Sequence, residues 1–140
     1  MPRAAGDRPN ILWLISEDTG PDLQCYGESL VATPNLDRLA SEGTRFTHAY
    51  SSAPVCSAVR SGMITGMYQT SIGAQNHRSH RGDGYHLPAP ARTLPEYFRD
   101  AGYYTCNAAG LEQHKPGKTD WNFAVDGPAF DGTDWSGRAP

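Results

Sequence analysis

Ile11 to Ile15 is the longest uninterrupted apolar run in the chain, bounded by Asn10 and Ser16. Such a run predicts a strand over residues 10–16, buried on both faces as in a parallel sheet under helices. Glu17-Asp18-Thr19-Gly20-Pro21-Asp22 ends it. That places acidic side chains just past the strand's carboxyl end, where open α/β sheets bind ligands. From Thr33 the apolar spacing becomes helical. Thr33 is the expected N-cap and Pro34 the first helical residue. Leu36, Leu39 and Ala40 form the apolar stripe, and Gly43 ends it. Arg45 to Ser51 alternates around Phe46, His48 and Tyr50, predicting a second strand or extended segment. Ala58 to Thr65 predicts a helix closed by Gly66.

Residues 67–92 have little periodicity and carry His77, His80 and His86. Long aperiodic loops in compact domains are commonly functional or mobile. Thr93-Leu94-Pro95-Glu96 has the capping-box pattern and opens a helix through Tyr97, Phe98 and Ala101, stopped by Gly102. Tyr103 to Ala108 is the third strand candidate. After Gly110 the glycines and prolines leave no expected helix. This order of elements predicts an α/β fold. Three strands make a thin sheet, so residues 10–140 read as the N-terminal portion of a larger domain. Residues 1–9 read as a disordered lead-in.

The 140 residues carry 12 Lys and Arg against 15 Asp and Glu, a formal net charge of −3. With no basic footprint, nucleic acid is not an expected partner. The apolar run falls far short of the roughly 20 residues that span a bilayer. The odd count of 3 cysteines, with no Cys-x-x-Cys spacing, argues against a disulfide framework and against a cysteine-built zinc site.

The most informative stretch is Pro54-Val55-Cys56-Ser57-Ala58-Val59-Arg60-Ser61-Gly62-Met63-Ile64-Thr65-Gly66. A cysteine near a helix start feels the positive end of the helix dipole, and Arg60 lies one turn on. Both favour negative charge at that position. The spacing is not the Cys-x5-Arg of a tyrosine-phosphatase cradle. Taken alone it also suits a small buried side chain beside a solvated arginine.

In order and spacing these residues resemble the type I sulfatase family of the alkaline-phosphatase superfamily. The family signature is Cys-x-Pro-Ser-Arg, a small residue, and then Thr-Gly. Cys56, Arg60, Ser61 and Thr65-Gly66 stand in register with it. So do the opening Arg8-Pro9-Asn10-Ile11-Leu12 with its acidic pair, and Thr33-Pro34-Asn35-Leu36-Asp37-Arg38-Leu39-Ala40. The resemblance covers about residues 8–120. Residues 70–80 and Gly117-Lys118-Thr119-Asp120-Trp121-Asn122-Phe123 look like a bacterial, heparan-sulfatase-like branch. Ala58 stands where the signature has proline and Val59 where it has serine. Asp120 stands where many members have histidine, two residues after a lysine.

The resemblance implies a partial alkaline-phosphatase-like sandwich, a mostly parallel sheet flanked by helices. It implies hydrolysis of sulfate esters, with a sulfated small molecule or glycan as substrate. Cys56 would be oxidised to formylglycine by a dedicated maturation enzyme, and its hydrate would attack sulfur. Arg60 would hold that hydrate. Glu17, Asp18 and the residue-56 oxygen would bind one divalent cation, usually Ca²⁺, with further ligands downstream. Lys118 would contact sulfate, and His77 and His80 would meet an anionic sugar or the leaving oxygen. The alternatives are a phosphate mono- or diesterase of the same superfamily, for which Ser57 is adjacent, and an inactive fragment that only binds anions.

Overall fold

A computed structural model describes residues 8–77, 84–109, 112–116 and 118–132. The chain divides into two compact units with a boundary between Ala49 and Tyr50.

In the first unit, α1 spans Pro34–Glu42, close to the span its pattern predicts. Thr33 precedes it but does not cap it with its side chain. Its hydroxyl is engaged elsewhere: it accepts from the Gln24 N–H at 3.0 Å and donates to Asp37 Oδ1 at 3.0 Å. The same Asp37 oxygen accepts from the Cys25 N–H at 2.7 Å. Thr33 and Asp37 thus tie the 3-10 turn Gln24–Tyr26 to the start of α1.

The predicted strand at 10–16 does not form among the described residues. The segment is exposed: Leu12 is 80% exposed and Leu14 71%. A strand exists only where a neighbour accepts its backbone hydrogen bonds, and continuous apolarity reports a demand for burial without supplying that neighbour. The 45–51 segment is likewise exposed and without strand pairing.

The second unit holds α2 (Cys56–Thr65), α3 (Leu94–Asp100) and a ladder of β1 (Ala108–Ala109) with β2 (Glu112–Pro116). The ladder is antiparallel. The isolated bridges His86 to Ala124 and Cys106 to Gly132 are parallel. The mostly parallel sheet expected from sequence does not occur among the described residues, and β2 falls where the pattern offered no element. The core consists of Ile64, Ile72, Ala74 and Phe123, with Leu87, Leu94, Trp121 and Val125 packed around it. Trp121 stacks on Phe123 at a ring-centroid distance of 5.7 Å. Between them these residues join α2, the loop after it, α3 and the 121–125 segment.

α3 begins as its pattern predicts. The Thr93 N–H and hydroxyl donate to Glu96 Oε2 at 2.6 and 2.7 Å, closing a capping box. Burial pushes the Glu96 carboxyl up, but the Thr93 hydrogen bonds and the Arg92 guanidinium outweigh it and hold the group below its ordinary value. Arg92 in turn pairs with Asp100 at 2.8 Å, which raises it above the usual arginine value. Cys25, Cys56 and Cys106 are not joined by disulfides. No helix of the described residues is long and apolar enough to cross a membrane.

Candidate active site

Helix α2 starts two residues earlier than its apolar pattern suggests, so Cys56 is its first helical residue. Val55 at the N-cap offers no side-chain hydrogen bond, and Gly66 closes the far end at φ 67°, the left-handed region that glycine enters without strain. Gly62 is required for a different reason. A Cβ there would come within 2.6 Å of Gln69 Nε2 and 3.2 Å of the Met67 carbonyl. With only hydrogen at that position, buried Gln69 lies against α2 and donates to Ser52 Oγ at 2.7 Å, anchoring the chain that leads into Cys56.

The signature's small polar residues serve the frame. Buried Ser61 donates to the Ser57 carbonyl at 2.7 Å, and its oxygen accepts the Asn122 N–H at 3.0 Å. Thr65 donates to the Ser61 carbonyl at 2.7 Å. Asn122 is buried, and its side-chain amide donates to the carbonyls of Ala74 at 2.8 Å and Asn76 at 2.6 Å. One asparagine therefore fastens the 118–123 segment to α2 and to the 74–77 loop together. Sequence reasoning gave Asn122 no role. Its spacing from Ser61 and from Ala74 is far outside any local pattern.

This clamp brings three polar side chains to the head of α2. The Cys56 thiol donates to Asp120 Oδ2 at 3.5 Å. His77 Nδ1 lies 3.9 Å from the same sulfur and 3.5 Å from Ser57 Oγ. Lys118 Nζ lies 3.8 Å from Asp120 Oδ2. Of the residues expected from sequence, Cys56, His77 and Lys118 are thus drawn to one place, with Asp120 joining them. Arg60 follows Cys56 by about one turn on the same helix. His80 lies outside the described residues.

Glu17 and Asp18 occupy an exposed turn in the first unit. Thr19 donates to the Glu17 carbonyl at 3.2 Å and also bonds Ser16 Oγ. Asp18 has φ 51°, a left-handed conformation that short polar residues tolerate better than most. A calcium ion takes about 6–8 oxygen ligands. Among the described residues, no three His, Cys, Asp or Glu side chains cluster closely enough to hold a metal ion. The described side chains therefore do not build a complete calcium site.

The sulfatase family model matches residues 9–125, most of the chain and all of the site just described. The chain belongs to the sulfatase family. It is 40% identical to the ulvan-active sulfatase of Formosa agariphila over 133 residues, covering 89% of this chain and 21% of that protein. It is 39% identical to human N-acetylgalactosamine-6-sulfatase over 103 residues, 68% of this chain and 20% of the relative. Against arylsulfatase H of Canis lupus familiaris the identity is 40% over 105 residues, 70% and 19% of the two chains. The chain spans about a fifth of the length of these curated relatives. In this chain the signature stretch is helix α2 and its closing glycine.

Proposed function

We propose that the complete gene product carrying this chain hydrolyses sulfate esters of a carbohydrate, with position 56 as its nucleophile. The observation that carries this reading is the thiol of Cys56 at the first residue of α2, with Asp120 and His77 at its sulfur. A small thiol surrounded by hydrogen-bonding groups suits a residue destined to become more polar. A hydrated aldehyde at position 56 supplies the attacking hydroxyl and, through its second hydroxyl, the route by which sulfate leaves. A formylglycine-generating enzyme is the partner this requires. Ala58 stands in the helix where that enzyme's usual target has proline.

The chain's own residues bind and orient. The first turn of α2 favours an anion, and Arg60 and Lys118 add positive charge for sulfate oxygens. His77, whose Nδ1 lies 3.9 Å from the Cys56 sulfur, would serve the departing oxygen. Glu17 and Asp18 supply part of the ligand set of a divalent cation, Ca²⁺ by the family's habit. The name of the N-acetylgalactosamine relatives supports a sugar substrate.

Two measurements on the complete gene product from its native host test this. Mass spectrometry of the peptide spanning residues 46–78 is expected to show position 56 about 18 Da lighter than cysteine, as SH and H give way to oxygen. Cys56→Ala is expected to lower turnover of nitrophenyl sulfate by about a thousandfold or more. An unoxidised thiol in a protein that hydrolyses sulfate esters at full rate overturns the nucleophile. Undiminished activity in Cys56→Ala overturns the site.

A further inference from the structure

Asp120 is an acid beside a helix start that otherwise suits an anion. Its carboxylate lies 3.5 Å from Cys56 Sγ and 3.8 Å from Lys118 Nζ, with the side chain only 20% exposed. Its place is held from behind by Asn122, whose N–H bonds buried Ser61 at 3.0 Å. A negative charge is therefore built in between the nucleophile position and the sulfate-binding lysine.

An acid in an anion-binding site opposes every anion, but not equally. Repulsion scales with the ligand's charge. A sulfate monoester carries one negative charge, whereas a phosphate monoester carries about two near neutral pH. The tetrahedral shapes are nearly the same, so shape alone discriminates poorly and charge must do it. Asp120 also offsets part of the Lys118 charge that would otherwise favour the dianion.

We infer that Asp120 is the specificity-determining residue that lets this site accept sulfate esters while rejecting phosphate esters. The inference rests on the proposed sulfate-ester site and adds the discrimination to it. A carboxylate can only accept hydrogen bonds, so it draws the Cys56 thiol proton toward itself without competing for the substrate's oxygens.

The test uses the complete gene product, as wild type, Asp120→Asn and Asp120→His. Asparagine keeps the shape and the acceptor while removing the charge, and histidine puts a neutral or positive side chain in its place. Calorimetric titration at mildly alkaline pH with phenylsulfonate, a monoanion, and phenylphosphonate, a dianion there, neither of which is hydrolysed, gives a readout independent of turnover. Hydrolysis of nitrophenyl sulfate and nitrophenyl phosphate gives a second. Both variants are expected to shift the dianion-to-monoanion ratio toward the dianion by about tenfold, in binding and in kcat/KM. A ratio unchanged in both variants, in a wild-type protein that hydrolyses the sulfate ester, overturns this inference and leaves the proposed function standing. Wild type that binds neither ion yet hydrolyses the sulfate ester also overturns it. A wild-type protein with its aldehyde in place that hydrolyses no sulfate ester overturns the proposed function itself, and the inference with it.

Discussion

Among the described residues, the second unit buries an apolar core; the first buries none. Ile72 and Ala74 are fully buried, whereas Leu12, Leu14 and Leu30 are 80%, 71% and 91% exposed. No described residue of the first unit is buried. The difference does not follow from apolar content, since the richest apolar run in the chain belongs to the exposed unit. It follows from partners. The second unit has a short helix, a loop and a returning segment whose polar groups satisfy each other through Ser61, Gln69 and Asn122, and apolar residues close around that frame. The first has one helix, a 3-10 turn and a local clamp through Thr33 and Asp37.

The sharpest way to break this contrast is a matched pair of truncations in the complete gene product, read by chemical denaturation. Ile72→Ala removes a fully buried side chain and is expected to cost about 3 kcal/mol. Contiguous exposed apolar surface normally marks a face that something covers, and the curated relatives are about four times this chain's length. Leu14→Ala is therefore expected to cost about 2 kcal/mol or more. A cost within about 0.5 kcal/mol, the usual effect of an exposed substitution, shows that the run stays in water and that the two units differ in kind.

Asn122 tests whether the second unit's order depends on polar satisfaction as well as on burial. Asn122→Ala strands the carbonyls of Ala74 and Asn76 and is expected to cost about 2 kcal/mol. It also releases the segment carrying Lys118 and Asp120. Sulfate-ester turnover is expected to fall more than stability alone explains, at temperatures where the variant remains folded. Full activity in a folded Asn122→Ala protein means that the clamp does not position the site.

Legibility differs between the same two regions. Helices α1 and α3 were readable because proline, threonine, glutamate and glycine act on their own backbone neighbourhood. Even so, Thr33 shows the limit, since its hydroxyl is taken by Gln24 and Asp37. The 10–16 run misled because apolarity states what a segment needs and not who supplies it. At the site, Cys56 and Arg60 were legible through spacing within one helix. The contacts of Cys56 with His77 and Asp120 cross 21 and 64 residues, and no periodicity encodes such contacts. Ser61 and Thr65 were legible as parts of a signature but not as the backbone braces they prove to be.

A smaller effect separates local from tertiary order within the second unit. Glu96→Gln weakens the α3 capping box and the contact with Arg92, and is expected to cost about 1 kcal/mol. Because the folded-state carboxyl lies below its unfolded value, its contribution is complete above the unfolded pKa and is lost as pH falls through the folded one. Wild type should therefore lose stability on acidification below the ordinary carboxylate range more steeply than Glu96→Gln. Parallel Tm-against-pH curves for the two proteins contradict the assignment.

The smallest expected change in stability returns to the first unit. Asp18 sits at φ 51° on an exposed turn, and asparagine tolerates that conformation as well as aspartate does. Asp18→Asn should alter Tm in the presence of a chelator by no more than about 0.5 kcal/mol's worth. If Glu17 and Asp18 serve a cation, wild type gains thermal stability on addition of Ca²⁺, because ligand binding to the folded state stabilises it by mass action. Asp18→Asn should lose most of that gain. A Ca²⁺-dependent shift of equal size in both proteins removes Asp18 from the ligand set. A large loss in the chelated state instead shows that this carboxylate braces the turn, so that the first unit, like the second, depends on its polar groups for order.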